Sequence, residues 1–232
     1  DTKSALTADN NWWLLVSGEY ADTAQYFGPS NYFTYPEPFG ITNGYAWYQV
    51  QGGRQDYMNY FKHCRESTIE LSNDQSPPGS SLPMLWEANR RSLINYLEQS
   101  LIGIRGIISD SCTGNPLKAK VFISSHDFDS SHVYSALPVG NYHRLIYSGT
   151  YNVTYSAFGY KDKTLSVTAT NGSASVLDVG LSPVLPQADF SYLTTDLTVD
   201  FTNTSSFATN FLWDFGDGYI DTRLNPTHTF DS

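Results

Sequence analysis

The sequence of 232 residues predicts a mixed α/β segment over residues 1–102, an all-β sandwich over 103–183 and a second, incomplete β unit over 187–232. Three observations carry that reading. Before Gly103, two stretches repeat apolar residues at helical spacing; from Gly103 onward, short runs of β-branched and aromatic residues alternate between turn signals; and a proline-bearing link, SPVLPQ, divides the β region in two. A chain with 40% hydrophobic and 16% charged residues has the composition to bury a core.

The first element lies in TADNNWWLLVSGEYADTAQ, where Trp13, Val16, Tyr20 and Ala24 recur at helical spacing behind polar capping candidates, so a helix is predicted from residue 9 to 25. GPSNYFTYPEPFGITNG follows as a loop broken by proline and glycine. A second amphipathic helix is expected in LPMLWEANRRSLINYLEQSLIG, with Trp86, Leu93, Leu97 and Leu101 on one stripe. Between the helices, CRESTIELS reads as a strand. In the β region, TGNP, SGTY and TNGS mark turns, and the strands are expected to form a small antiparallel sandwich. GIISDSCTGNPLKAKVFIS is expected to supply a first hairpin and YSGTYNVTYSAFGY a later one. Beyond the link, LTVDFTNTS and NFLWDFGDG resume the alternation, with too little chain to close a sandwich alone.

Charge and motifs exclude several function classes. Thirteen Lys+Arg against 23 Asp+Glu give a formal charge of −10, which argues against nucleic acid as a partner and favours cationic ligands. The longest strongly apolar run, Trp12 to Val16, is far short of the roughly 20 residues of a membrane helix. Cys64 and Cys112 make no disulfide framework; one bridge and two separate buried thiols are equally compatible with the sequence. Asn152, Asn171 and Asn203 head Asn-x-Ser/Thr sites. The chain opens on Asp1 without a leader pattern and reads as an excised piece of an exported protein.

The chemistry-bearing candidates cluster between residues 45 and 72. In a strand through 66–72, Thr68 and Glu70 share one face, and a carboxylate on such a buried strand would have raised proton affinity and suit general base work. Pattern alone favours a surface glutamate on a half-exposed strand. In YAWYQVQGGRQDYMNY, Tyr48 precedes a Gly-Gly pair, and such a loop could swing a phenol over a ligand. Pattern alone again favours the plainer alternative, a tight glycine turn packed with aromatics. HDFDSSH is read as a solvated Ser-rich turn rather than a metal loop.

Taken together, GITNGYAWYQVQGGRQDYMNY, STIELS and LPMLWEANRRSLINYLEQSLIGIRG resemble the C-terminal end of the catalytic domain of zinc metallocarboxypeptidases, in particular the N/E-type regulatory branch. The resemblance covers residues 1–182. It implies that Glu70 is the general acid/base, that Tyr48 is the mobile tyrosine that closes on the C-terminal residue of the substrate, and that Gln55 lies at the floor of the specificity pocket, where it suits a Lys or Arg head. Asp56 and Thr68 are read as mainly structural. The implied cofactor is Zn²⁺, with its ligands and the carboxylate-binding arginines upstream of Asp1. His63, His126, His132, His143 and His228 are read as surface or packed imidazoles. Peptide or protein C-termini are the implied substrates, and this piece alone is expected to be inert.

Residues 103–183 resemble the transthyretin-like module that follows the peptidase domain in that branch, with a packing role expected. The stretch 187–232, with WDFGDG at Trp213 to Gly218 and NPTHTF after it, resembles the start of an immunoglobulin-like PKD domain, with Trp213 as core aromatic and GDG as a hairpin turn. PKD repeats imply secretion from a bacterium and attachment to a substrate or cell surface. The competing expectation is a non-catalytic binding or adhesion protein that retains the peptidase scaffold.

Overall fold

The computed structural model describes residues 6–33, 40–72 and 74–231; Pro36 and Pro38 of the first loop and residues 1–5 lie outside that set. The chain forms two compact units, residues 1–158 with 162–181, and residues 182–232 with 159–161. Helices lead and strands follow, the mixed α/β-then-β order that the sequence predicts.

In the larger unit, helix α1 (Asn10–Phe27) buries Trp12, Val16, Tyr20, Ala21 and Ala24. After the loop come two short helices, α2 (Gly44–Trp47) and α3 (Arg54–Lys62). Helix α4 (Leu82–Glu98) packs on α1, but it buries Leu85, Ala88, Asn89 and Ser92, while Trp86, Leu97 and Leu101 of the expected stripe are exposed. Small side chains let the two backbones approach, and polar bonds then replace hydrophobic bulk at the seam. The Tyr20 hydroxyl donates to Asn89 Oδ1 at 2.9 Å, and Ser92 Oγ donates to the Tyr20 carbonyl at 2.9 Å. Asn89 Nδ2 donates in turn to Tyr32 Oη at 2.7 Å and to the Leu85 carbonyl at 2.9 Å. Burial pushes the Tyr20 phenol up to about 12. Asn89→Ala would strand the Tyr20 hydroxyl without its acceptor, and a buried polar group so orphaned costs about 1–3 kcal/mol. The urea-unfolding midpoint of the larger unit is therefore expected to fall.

Eight strands build a two-sheet sandwich: β1 (Gly103–Asp110), β2 (Lys120–Ile123), β3 (Val133–Tyr134), β4 (Asn141–Arg144), β5 (Gly149–Ser156), β6 (Lys163–Ala169), β7 (Ala174–Val176) and β8 (Val179–Leu181). One sheet runs β4-β1-β7, with β8 pairing farther along β1; the other runs β3-β2-β5-β6. Ile104, Ile108, Val121, Ile123, Val153, Val179 and Leu181 fill the space between. Tyr142 of β4 and Tyr155 of β5 meet hydroxyl to hydroxyl at 3.0 Å, bridging the sheets.

Two expectations fail here. The first hairpin does not form, because after a short turn closed by the Ser109–Pro116 bridge the chain crosses, leaving β1 and β2 in different sheets. Nor is the sandwich wholly antiparallel: β7 and β8 both run parallel to β1, in registers Ile104 with Ser175 and Ile108 with Val179. YSGTYNVTYSAFGY supplies only the first strand of a hairpin, β5, whose partner β6 lies beyond it. Gly106 shows how tightly β1 is enclosed, since a Cβ there would stand 2.0 Å from the Leu177 carbonyl oxygen.

The smaller unit has β9 (Phe190–Thr195), β10 (Thr198–Asn203), β11 (Trp213–Asp214), β12 (Ile220–Asp221) and β13 (Thr227–Thr229), in a β13-β10-β9 sheet and a β11-β12 ribbon. Phe190 and Phe201 contact the Trp213 ring, whose Nε1 donates to the Arg223 carbonyl at 2.9 Å. Gly216 and Gly218, at φ +81° and +96°, turn the chain between β11 and β12. Arg223 hydrogen-bonds Asp221 and holds its carboxyl down at about 2.

Candidate functional site

Residues 64–72 join α3 toward α4 without helix or turn, and among the described residues they pair with no strand. The expected strand is absent because a ladder needs a neighbour, and side chains from α3, α4 and the loop after α1 take its place. Tyr96 Oη of α4 donates to the Arg65 carbonyl at 2.7 Å, and Asn59 Nδ2 of α3 donates to the Glu66 carbonyl at 2.8 Å. Thr68 Oγ1 donates to Gln55 Oε1 at 2.9 Å, and Tyr32 Oη donates to the Leu71 carbonyl at 2.6 Å. Arg54 pairs with Glu66 at 3.2 Å.

This segment brings two of the three sequence-predicted site residues close. Gln55, half-buried in the first turn of α3, is tied to Thr68, and Glu70 lies two residues farther along. Glu70 is exposed, not shielded as a buried strand would make it. Tyr48 follows α2 in extended conformation, its N–H donating to the Gly44 carbonyl at 3.0 Å and its ring exposed. Gly52, at φ +70° with open space around it, gives the loop between Tyr48 and Gln55 a backbone state other residues rarely adopt.

A metal does not fit these residues. His63 and Glu66 have His-x-x-Glu spacing, but His63 Nδ1 lies 3.0 Å from the Ser130 carbonyl and Glu66 turns to Arg54. Among the described residues no group of three or more His, Cys, Asp or Glu side chains could hold a metal ion. Cys64 and Cys112 are both free and exposed, neither bridged nor buried.

The strongest electrostatic feature escaped the sequence reading. Asp9, just ahead of α1, makes no capping bond; its carboxylate is 3% exposed and faces Arg65 at 2.6 Å, Arg144 at 3.0 Å and His126 at 3.0 Å. Arg144, fully buried on β4, also binds Asp127, whose side chain is 1% exposed rather than solvated. Asp127 in turn accepts from the Ile123 N–H at 2.8 Å and from Ser131 Oγ at 3.2 Å. Burial would raise the Asp9 pKa, but the His126 hydrogen bond and the two guanidiniums outweigh it and hold the carboxyl below its ordinary value. Burial pulls Arg65 down, against the attraction of Asp9. Each arginine keeps a buried Nε with no partner. A signal was available: in NYHRLIY, Arg144 sits at the same inward alternation as Tyr142 and Ile146, and a buried charge demands a buried partner.

No helix among the described residues is long and apolar enough to cross a membrane. The chain is similar to carboxypeptidase D of Anas platyrhynchos, at 39% identity over 151 residues, 65% of this chain and 11% of that protein. It is 35% identical to carboxypeptidase E of Caenorhabditis elegans over 196 residues, covering 78% of this chain and 42% of the relative. Carboxypeptidase N catalytic chain of Homo sapiens is 36% identical over 152 residues, 65% of this chain and 32% of its own length. The chain thus spans about a tenth of the carboxypeptidase D it matches. Residues 1–92, the stretch that carries Tyr48, Gln55 and Glu70, match the zinc carboxypeptidase family Peptidase_M14.

Proposed function

We propose that this chain is the distal part of a secreted bacterial metallocarboxypeptidase of the N/E-type branch, which removes C-terminal Lys or Arg from peptides. The observation that supports the reading is the Gln55–Thr68 bond, which ties Gln55 to the segment bearing Glu70, inside the family-matched stretch. Glu70 takes up a proton from the attacking water and returns one to the leaving amine. Tyr48, carried before the Gly52 turn, closes on the terminal residue, and Gln55 Oε1 accepts from its cationic head. Zn²⁺ would be held by residues outside this chain, so the chain's own share is proton transfer and substrate contact. Residues 103–183 act as a transthyretin-like module and residues 187–232 as the start of a PKD module with affinity for substrate or cell surface; 1–102 completes the peptidase domain.

The test offers peptides ending in Lys, Arg, Phe or Leu to the polypeptide that joins this chain to its metal-holding part, with and without chelator. Chelator-sensitive release of Lys and Arg is expected, and Gln55→Leu should lower it about 10–100-fold, the scale of a hydrogen bond to a charged group. Preferential release of Phe by the unaltered protein would overturn the assignment of Gln55. A second reading, a non-catalytic adhesion protein, draws support from the exposure of Glu70 and would be favoured if no peptide were cut.

A further inference from the structure

We propose that Arg144, a residue of the β-sandwich, is a positioning residue for the segment that carries Glu70, acting through Asp9 and Arg65; its bearing on catalysis rests on the role proposed above for Glu70. The segment has no backbone ladder, so its placement depends on the side chains that hold it. At its head, Arg65 is anchored twice, through its carbonyl by Tyr96 and through its guanidinium by Asp9 at 2.6 Å. Asp9 is itself fixed by Arg144 Nη1 and His126 Nε2, each at 3.0 Å. One carboxylate is therefore shared between a guanidinium of the Glu70 segment and a guanidinium of the sandwich. Arg144 also neutralises Asp127.

The consequence is directional. Remove the Arg144 charge, and Arg65 becomes the remaining guanidinium beside two buried acids; it is drawn between them and pulls the backbone five residues ahead of Glu70 with it. Ordinary loss of sandwich packing would not do this. Tyr142→Phe provides the comparison, because it deletes the inter-sheet hydroxyl contact and the bond to the Leu177 carbonyl while leaving the charge cluster intact.

Limited proteolysis of the 232-residue chain, mapped by mass spectrometry, reads the difference without any catalytic assay. Arg144→Met is expected to speed cleavage within residues 65–71 by about tenfold beyond its effect on the sandwich core, the scale of one hydrogen bond to a charged group. Tyr142→Phe should loosen the sandwich and leave 65–71 as protected as in the parent. Arg144→Lys, which keeps the charge and should fold even where Met does not, is expected to recover most of the protection. Equal cleavage at 65–71 in the Met and Phe variants, or faster cleavage in Lys than in Met, would overturn the proposal. Loss of protection in Arg144→Met alongside full activity of Glu70→Gln in the metal-bearing polypeptide would leave the clamp standing and remove the catalytic role of Glu70.

Discussion

Replacing Asp9 with Ala is expected to destabilise the larger unit by about 3–5 kcal/mol, the cost of leaving a buried ion pair half-made. Two guanidiniums, Arg65 and Arg144, lose a shared carboxylate, and each already carries one unsatisfied nitrogen. Urea unfolding monitored by tryptophan fluorescence measures the loss, with Trp12 beside Arg65 as a reporter at 6.0 Å. The same carboxyl gives a pH signature. Its pKa is lower in the folded protein than in the unfolded chain, so its stabilisation is fully present above the ordinary carboxylate value of 3.8 and disappears as pH falls through the depressed folded value. Acid unfolding of the parent should therefore steepen in that range, and Asp9→Asn should flatten it. A variant that matched the parent at neutral pH and in acid would show that the cluster contributes nothing.

Glu70→Gln, in the polypeptide that joins this chain to its metal-holding part, is expected to lower kcat by about 10²–10⁴-fold, the usual contribution of a positioned acid/base. The substitution keeps shape and hydrogen-bonding reach, so KM should move little, and the exposed position of Glu70 predicts an unchanged unfolding midpoint. Activity near that of the parent would remove Glu70 from the reaction. A fall in kcat with a matching fall in stability would point to folding instead.

How far the sequence revealed these features depended on which physical term dominated locally. Helix α1 was legible because Val16, Tyr20 and Ala24 of its periodic set are buried, although Trp12 rather than Trp13 is the buried indole. Helix α4 was misjudged because its seam with α1 is made by Ala88, Asn89 and Ser92, which hydrophobicity ranks below the exposed Trp86 and Leu97. Residues 66–72 looked like a strand through β-branched and alternating residues, but pairing is a property of the neighbour, and here side-chain bonds hold the segment. Tyr48, Gln55 and Glu70 emerged from resemblance to a family rather than from periodicity. The Asp9–Arg65–Arg144–Asp127 cluster stayed hidden because its members lie up to 135 positions apart and no local pattern joins them.

The strand arrangement around β1 also governs when this protein can mature. Its parallel neighbours β7 and β8 are the last pieces of the sandwich to leave the ribosome, with Val179 docking against Ile108. Until then the emerging sandwich must carry an unsealed sheet margin, which delays its closure and makes nascent chains stalled before that point targets for holdase chaperones.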